Sequence, residues 1–160
     1  MERNYITYNT EILCNWLGAQ YQRIVGVIAL ANKYDFQYVH TPIQNMEFVN
    51  TIEHLNEIEN YFQIKNNYPN VNEFTYDQII AIDNPSEDQL LHLSIVHDKK
   101  VLIKMCLPYS ILDKYPIYYN YGMEKLKSIK QKIDVYDLSD TQNIAIHIRQ
   151  GDVSPTENNK

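Results

Sequence analysis

The sequence predicts an α/β protein, a mainly parallel β-sheet with flanking helices. Three observations carry that expectation. Short β-branched or aromatic runs alternate along the chain with longer stretches of helical periodicity, in the order strand, helix, strand, helix, strand, helix, strand. A composition of 44% hydrophobic and 21% charged residues over 160 residues supplies enough apolar surface for a real core. Finally, Ile144-Ala145-Ile146-His147-Ile148-Arg149-Gln150-Gly151-Asp152-Val153 alternates with period two and then breaks into polar side chains. That is the pattern of a buried strand delivering polar groups at its C-terminal end, the edge at which open α/β sheets bind ligands.

The elements follow in order. Residues 5–10 form a short first strand. A helix over 20–34 follows, with Ile24, Val27, Ile28 and Ala31 at helical spacing and Lys33 near its C-terminal end. Residues 36–40 are a second strand, stopped by Thr41-Pro42. Ile52, Leu55, Ile58, Glu59 and Phe62 mark 48–64 as one amphipathic helix, or two. The polar, Pro-containing stretch 66–72 is a loop. Gln78–Ile82 is an apolar strand, and Asn84-Pro85-Ser86-Glu87-Asp88 begins a helix that runs to about His97, with proline and acids in its first turn. Residues 100–105 alternate as another strand, and Pro108 opens a short helix. A longer helix covers 118–133, with Met123, Leu126 and Ile129 on one side, and the final strand spans 143–149.

Bulk properties exclude several classes. A net charge of −6 and a pI near 5.3 argue against general affinity for nucleic acid or anionic membranes. No run approaches the roughly 18 apolar residues that span a bilayer, and the opening Met1-Glu2-Arg3-Asn4-Tyr5 is no secretion signal. Cys14 and Cys106 are far apart and suit two reduced thiols, as expected of a cytoplasmic protein. Neither has a basic neighbour that marks a nucleophile. No His, Asp or Glu grouping has convincing metal spacing, so no metal ligand is assigned.

His147, Arg149, Gly151 and Asp152 are the candidates at the final strand. An Arg at a strand end suits a phosphate, because its guanidinium is a permanent planar donor; a surface ion pair with Asp152 is the plainer alternative. His147 shares a strand face with Arg149, either shaping the same site or lying buried and hydrogen-bonded. Gly151 permits the turn, and Asp152 either orients Arg149 or caps that turn. Gly18 and Gln20 sit where a loop enters the first long helix, so backbone N–H groups there face an anion or a sugar, or simply begin the helix. Arg23, one turn on, reads as solvated or ion-paired. His40 ends a strand on the same sheet edge and is a cleft candidate. Glu53, Glu57 and Glu59 read as solvated helix charges, and Tyr115, Tyr118, Tyr119 and Tyr121 as packing aromatics.

The His147-Ile148-Arg149-Gln150-Gly151-Asp152 element resembles the H-x-R-x-G-D signature of the α1,2- and α1,6-fucosyltransferase superfamily. Arg149 falls on the family's first Arg, and Gln150 stands where a second Arg is usual. The stretch from Asn15 through Gly18, Gln20 and Arg23, followed by Tyr38-Val39-His40-Thr41-Pro42, is similar to the family's opening G-x-G-x-Q loop, its following helix and its second strand. Leu17 replaces the usual small residue. The resemblance implies a GT-B architecture of two Rossmann-like domains, of which 1–140 would be the N-terminal one and 141–160 the first strand and loop of a truncated donor-binding domain.

The resemblance further implies fucosyl transfer from GDP-fucose, a donor substrate rather than a cofactor, to an acceptor glycan hydroxyl, with inversion by direct displacement and no metal. Arg149 would hold the diphosphate and stabilise the departing GDP, while His147, Gly151, Asp152, Gly18, Gln20 and His40 would shape the substrate site. A protein partner supplying the missing second domain is the implied companion. The alternative is a non-catalytic remnant or subunit of a split glycosyltransferase acting as an interaction module. An unrelated α/β nucleotide-binding module is disfavoured by the absence of a G-x-G-x-x-G loop or a P-loop.

Overall fold

A computed structural model describes residues 4–10, 17–46, 51–96 and 98–114, together with 117, 120 and 124. The chain divides into two compact units, Met1–Lys130 and Gln131–Lys160, and every described residue belongs to the first. The helix expected over 118–133, the strand over 143–149 and the short domain over 141–160 lie outside the described residues or largely so; positions 117, 120 and 124 are helical.

The fold is α/β and Rossmann-like, with one sheet of four strands in the order β2-β1-β4-β3, all parallel. In chain order the elements are β1 (Tyr5–Tyr8), α1 (Leu17–Lys33), β2 (Gln37–Tyr38), α2 (Ile52–Phe62), β3 (Gln78–Ile82), α3 (Glu87–Ile95), β4 (Val101–Met105) and α4 (Tyr109–Leu112). The two central strands pair Tyr5 with Leu102 through Tyr8 with Met105. Each such pair shares a face, so Ile6, Tyr8, Ile103 and Met105 enter the main core beneath α1, while Tyr5 and Leu102 pack on the opposite face with Val39, Phe74 and Tyr76. All four residues of β1 are buried for that reason. Edge strand β3 differs, and its Ile79 is 58% exposed.

Helix α1 is apolar all round from Ile24 to Ala31, and every residue of that stretch is buried, as expected of a helix enclosed by other elements. It begins three residues earlier than its periodicity suggested, because Leu17 still packs against the core. It ends where Asp35 adopts the left-handed conformation (φ 59°) and the Phe36 N–H donates to Ala31 O at 2.9 Å, an Asp doing what Gly more often does. At Gly26 a side chain has no room, since a Cβ would stand 2.6 Å from Leu112 Cδ1 and 2.7 Å from Pro108 Cγ. Gly26→Val is therefore expected to lose about 2 kcal/mol in urea unfolding despite the poor helix propensity of glycine, because α4 must retreat. A variant as stable as wild type would show that α4 gives way freely.

The remaining helices start as their caps dictate. Thr51 accepts from the His54 N–H at the start of α2, and Ser86 forms a capping box with Gln89 at the start of α3. The predicted helix over 48–64 is a single α2, closed at Gln63 (φ 53°) and followed by a 3₁₀ turn over Ile64–Asn66. The loop over 66–72 carries structure that periodicity did not reveal. His40 bridges Asn70 in parallel fashion, and a second 3₁₀ turn, Val71–Glu73, follows under its own capping box. An ion pair of 3.3 Å joins Lys33 at the end of α1 to Glu87 at the start of α3.

Candidate functional site

Strands β1 and β4 end side by side, and the Asn9 N–H donates to Met105 O (2.8 Å), carrying their pairing one residue further. The chain leaves β1 toward α1 and leaves β4 toward α4, so the start of each helix stands at the C-terminal edge of the sheet. The first turn of α1 has no acidic residue, and beside Gly18 an added Cβ would meet nothing within 4 Å. Gln20 is fully buried, and its Nε2 donates to Asn45 O at 2.7 Å, tying α1 to the segment that follows β2.

Arg23 lies one turn further into α1 and is 8% exposed. The solvated or ion-paired Arg expected from the sequence is instead buried, with no ion pair among the described residues. Its Nε and Nη1 have no hydrogen-bond partner, and Thr10 Oγ1 close by in sequence to the β1 terminus is equally buried and unpartnered. Burial works against the Arg23 charge, but the neighbouring Tyr8 and Tyr109 hydroxyls favour it and more than offset that cost. Burial pushes the Tyr8 phenol up, with Arg23 pulling the other way. Burial also raises the Cys106 thiol, which Arg23 only partly counteracts, so the neutral thiol is favoured there.

No family model, curated protein or solved structure matches the chain. The site therefore stands on its own geometry and on the sequence motifs.

His40 sits at the C-terminal end of β2 as expected, and it is fully buried. Its Nε2 stands 2.8 Å from Glu59 Oε2, and its Nδ1 3.3 Å from the Tyr38 hydroxyl. The backbone is held as firmly, donating to Pro69 O at 2.8 Å and accepting from the Val71 N–H at 2.9 Å. Glu59, expected to be a solvated helix charge, is 6% exposed, and its Oε1 accepts from the Ile43 N–H at 2.7 Å. Burial pushes the Glu59 carboxyl up, but His40, the Ile43 N–H and Lys65 together hold it below the usual carboxylate range. Burial, with the Glu59 charge and Tyr68 behind it, holds the Tyr38 phenol well above its ordinary value. This arrangement joins the end of β2 to α2 through polar groups that satisfy one another.

A groove of about 300 Å³ opens on the opposite sheet face, lined among others by Thr41, Phe74, Tyr76, Ile79, Leu102 and Lys104. Among the described residues no group of His, Cys, Asp and Glu is arranged to hold a metal ion, and no helix is long and apolar enough to cross a membrane. The candidates His147, Arg149, Gly151 and Asp152, like Cys14 and the tyrosines at 115, 118, 119 and 121, lie outside the described residues. The structure thus brings Gln20 and Arg23 to one helix end near Gly18, and places His40 in a separate buried pair.

Sequence reasoning missed two of these groups, although a signal for each was present. Arg23 falls on the same stripe as Gln20, Val27 and Leu30, all buried, so its place on the helix already set it inward. Glu59 lies four residues after Leu55, which is also buried. In both cases charge was weighed above position.

Proposed function

We propose that this chain is a fucosyltransferase-like glycosyltransferase protein that uses GDP-fucose as donor and a glycan hydroxyl as acceptor. The observation that carries the reading is the order of its motifs: Gly18 and Gln20 opening the first helix, and His147, Arg149, Gly151 and Asp152 closing a later strand run. A parallel Rossmann-like sheet is the support such chemistry uses, because helix N-termini and strand C-termini collect on one edge. Arg149 holds the donor diphosphate and stabilises the charge on the leaving GDP. Gly18 and Gln20 are the substrate-binding candidates at the start of α1, and His40, held by Glu59, is the candidate after β2. The acceptor oxygen displaces GDP directly and inverts the anomeric carbon.

Calorimetry of GDP-fucose with wild type and Arg149→Ala tests this reading. Saturable binding by wild type that is lost in the variant is the expected result. A folded wild type that does not bind GDP-fucose would leave the second reading, a non-catalytic interaction module belonging to a split glycosyltransferase. One observation favours that reading: Ile79, 58% exposed on edge strand β3, lines the groove on that sheet face.

A further inference from the structure

We infer that the N-terminal end of α1 is a binding site for a phosphate-class oxyanion, with Arg23 as its cation. This inference does not rest on glycosyl transfer. A buried guanidinium is normally matched by a carboxylate or a phosphate, because the uncompensated charge is costly to desolvate. Arg23 is more than nine-tenths buried, yet Nε and Nη1 have no hydrogen-bond partner and no described carboxylate pairs with it. Its described polar neighbours are the Tyr8 and Tyr109 hydroxyls rather than a carboxylate. Side chains on a helix lean toward its N-terminus, which directs Arg23 to the end of α1 where backbone N–H groups and the positive pole of the helix dipole lie.

No acidic residue occupies the first turn of this 17-residue helix. The space beside Gly18 is open. Thr10 adds an unpartnered buried hydroxyl from the end of β1, while the Tyr8 and Tyr109 hydroxyls face Arg23 from β1 and α4. A guanidinium beside helix N–H groups suits a tetrahedral oxyanion, which accepts in several directions, better than a planar carboxylate. The phosphate is either free or carried by a nucleotide.

Titration calorimetry with inorganic phosphate and, separately, GDP tests the inference on the full chain. Wild type is expected to bind phosphate saturably, and Arg23→Met to weaken that binding at least about tenfold. Gly18→Asp guards against a folding failure of the first variant. An acid in the first turn suits the helix, its Cβ meets no neighbour, and its charge occupies the anion's place, so a loss of about tenfold or more is expected from a folded protein. If Arg23→Met weakens GDP along with phosphate, the nucleotide's phosphates occupy the site. If it weakens phosphate alone, the occupant is free phosphate. A folded wild type without saturable phosphate binding overturns the inference, as does phosphate binding unchanged in both variants, or in Gly18→Asp alone should Arg23→Met not fold.

Discussion

Glu59→Ala is expected to lower the stability to urea unfolding by about 3 kcal/mol. The reason lies in what the substitution strands. His40 is fully buried and loses its 2.8 Å partner, and the Ile43 N–H loses its 2.7 Å acceptor. Neither can turn to water, so each retains its desolvation cost without the bond that offset it. Replacing both partners by apolar residues, as in His40→Leu with Glu59→Leu, should recover part of the loss, since no buried polar side chain is then abandoned. An unchanged unfolding midpoint for Glu59→Ala would mean that the pair contributes nothing.

The same pair makes stability depend on acid. The folded Glu59 carboxyl titrates below its ordinary value, so the folded state binds this proton less readily than the unfolded chain. Its contribution is complete above the unfolded carboxylate pKa of about 4.3 and is lost as pH falls through the lower folded value. Wild type should therefore lose stability faster than Glu59→Ala below about pH 4.3. Parallel urea-unfolding curves for the two proteins across that range would contradict the assignment.

Asn4→Ala is expected to cost about 3 kcal/mol, by leaving several buried groups without their partner. Asn4 is 2% exposed, and its Nδ2 donates to Leu93 O and to Val96 O, both at 2.7 Å. Its Oδ1 accepts from the Val101 N–H at 3.1 Å. One amide thereby satisfies carbonyls at the C-terminal end of α3, where intrahelical donors run out, and the first N–H of β4. It also fixes where β1 enters the sheet relative to both. Asn4→Asp separates charge from shape: it keeps the acceptor but sets a carboxylate against the Leu93 and Val96 carbonyls, so it should be at least as damaging. Chemical denaturation of both variants measures this, and a loss below about 1 kcal/mol would show that water replaces the amide readily.

The sheet was legible because its signal is local. Gln78–Ile82 carries its strand pattern in its own residues, and the structure forms β3 over that same span. The apolar spacing of Ile24, Val27, Ile28 and Ala31 likewise located α1, and Pro85-Ser86-Glu87 located the start of α3. The short bridge between His40 and Asn70 was not legible, because nothing within 66–72 reports that a strand end 30 residues earlier will pair with it. The candidate site divided along the same line. Gly18 and Gln20 were singled out by their position at a loop-to-helix boundary, whereas the surroundings of Arg23 depend on Tyr8 and Tyr109, which come from two other elements.

The sequence by itself determined the alternation of strands and helices, and hence a parallel α/β sheet, because strand and helix periods and cap residues act over a few neighbours. It also placed His40 just after β2. Only the tertiary structure decided the strand order β2-β1-β4-β3 and the enclosure of Arg23 and Glu59. A charged side chain reads the same in any helix; whether it meets water, a partner or an unfilled space depends on elements distant in the chain that pack against it.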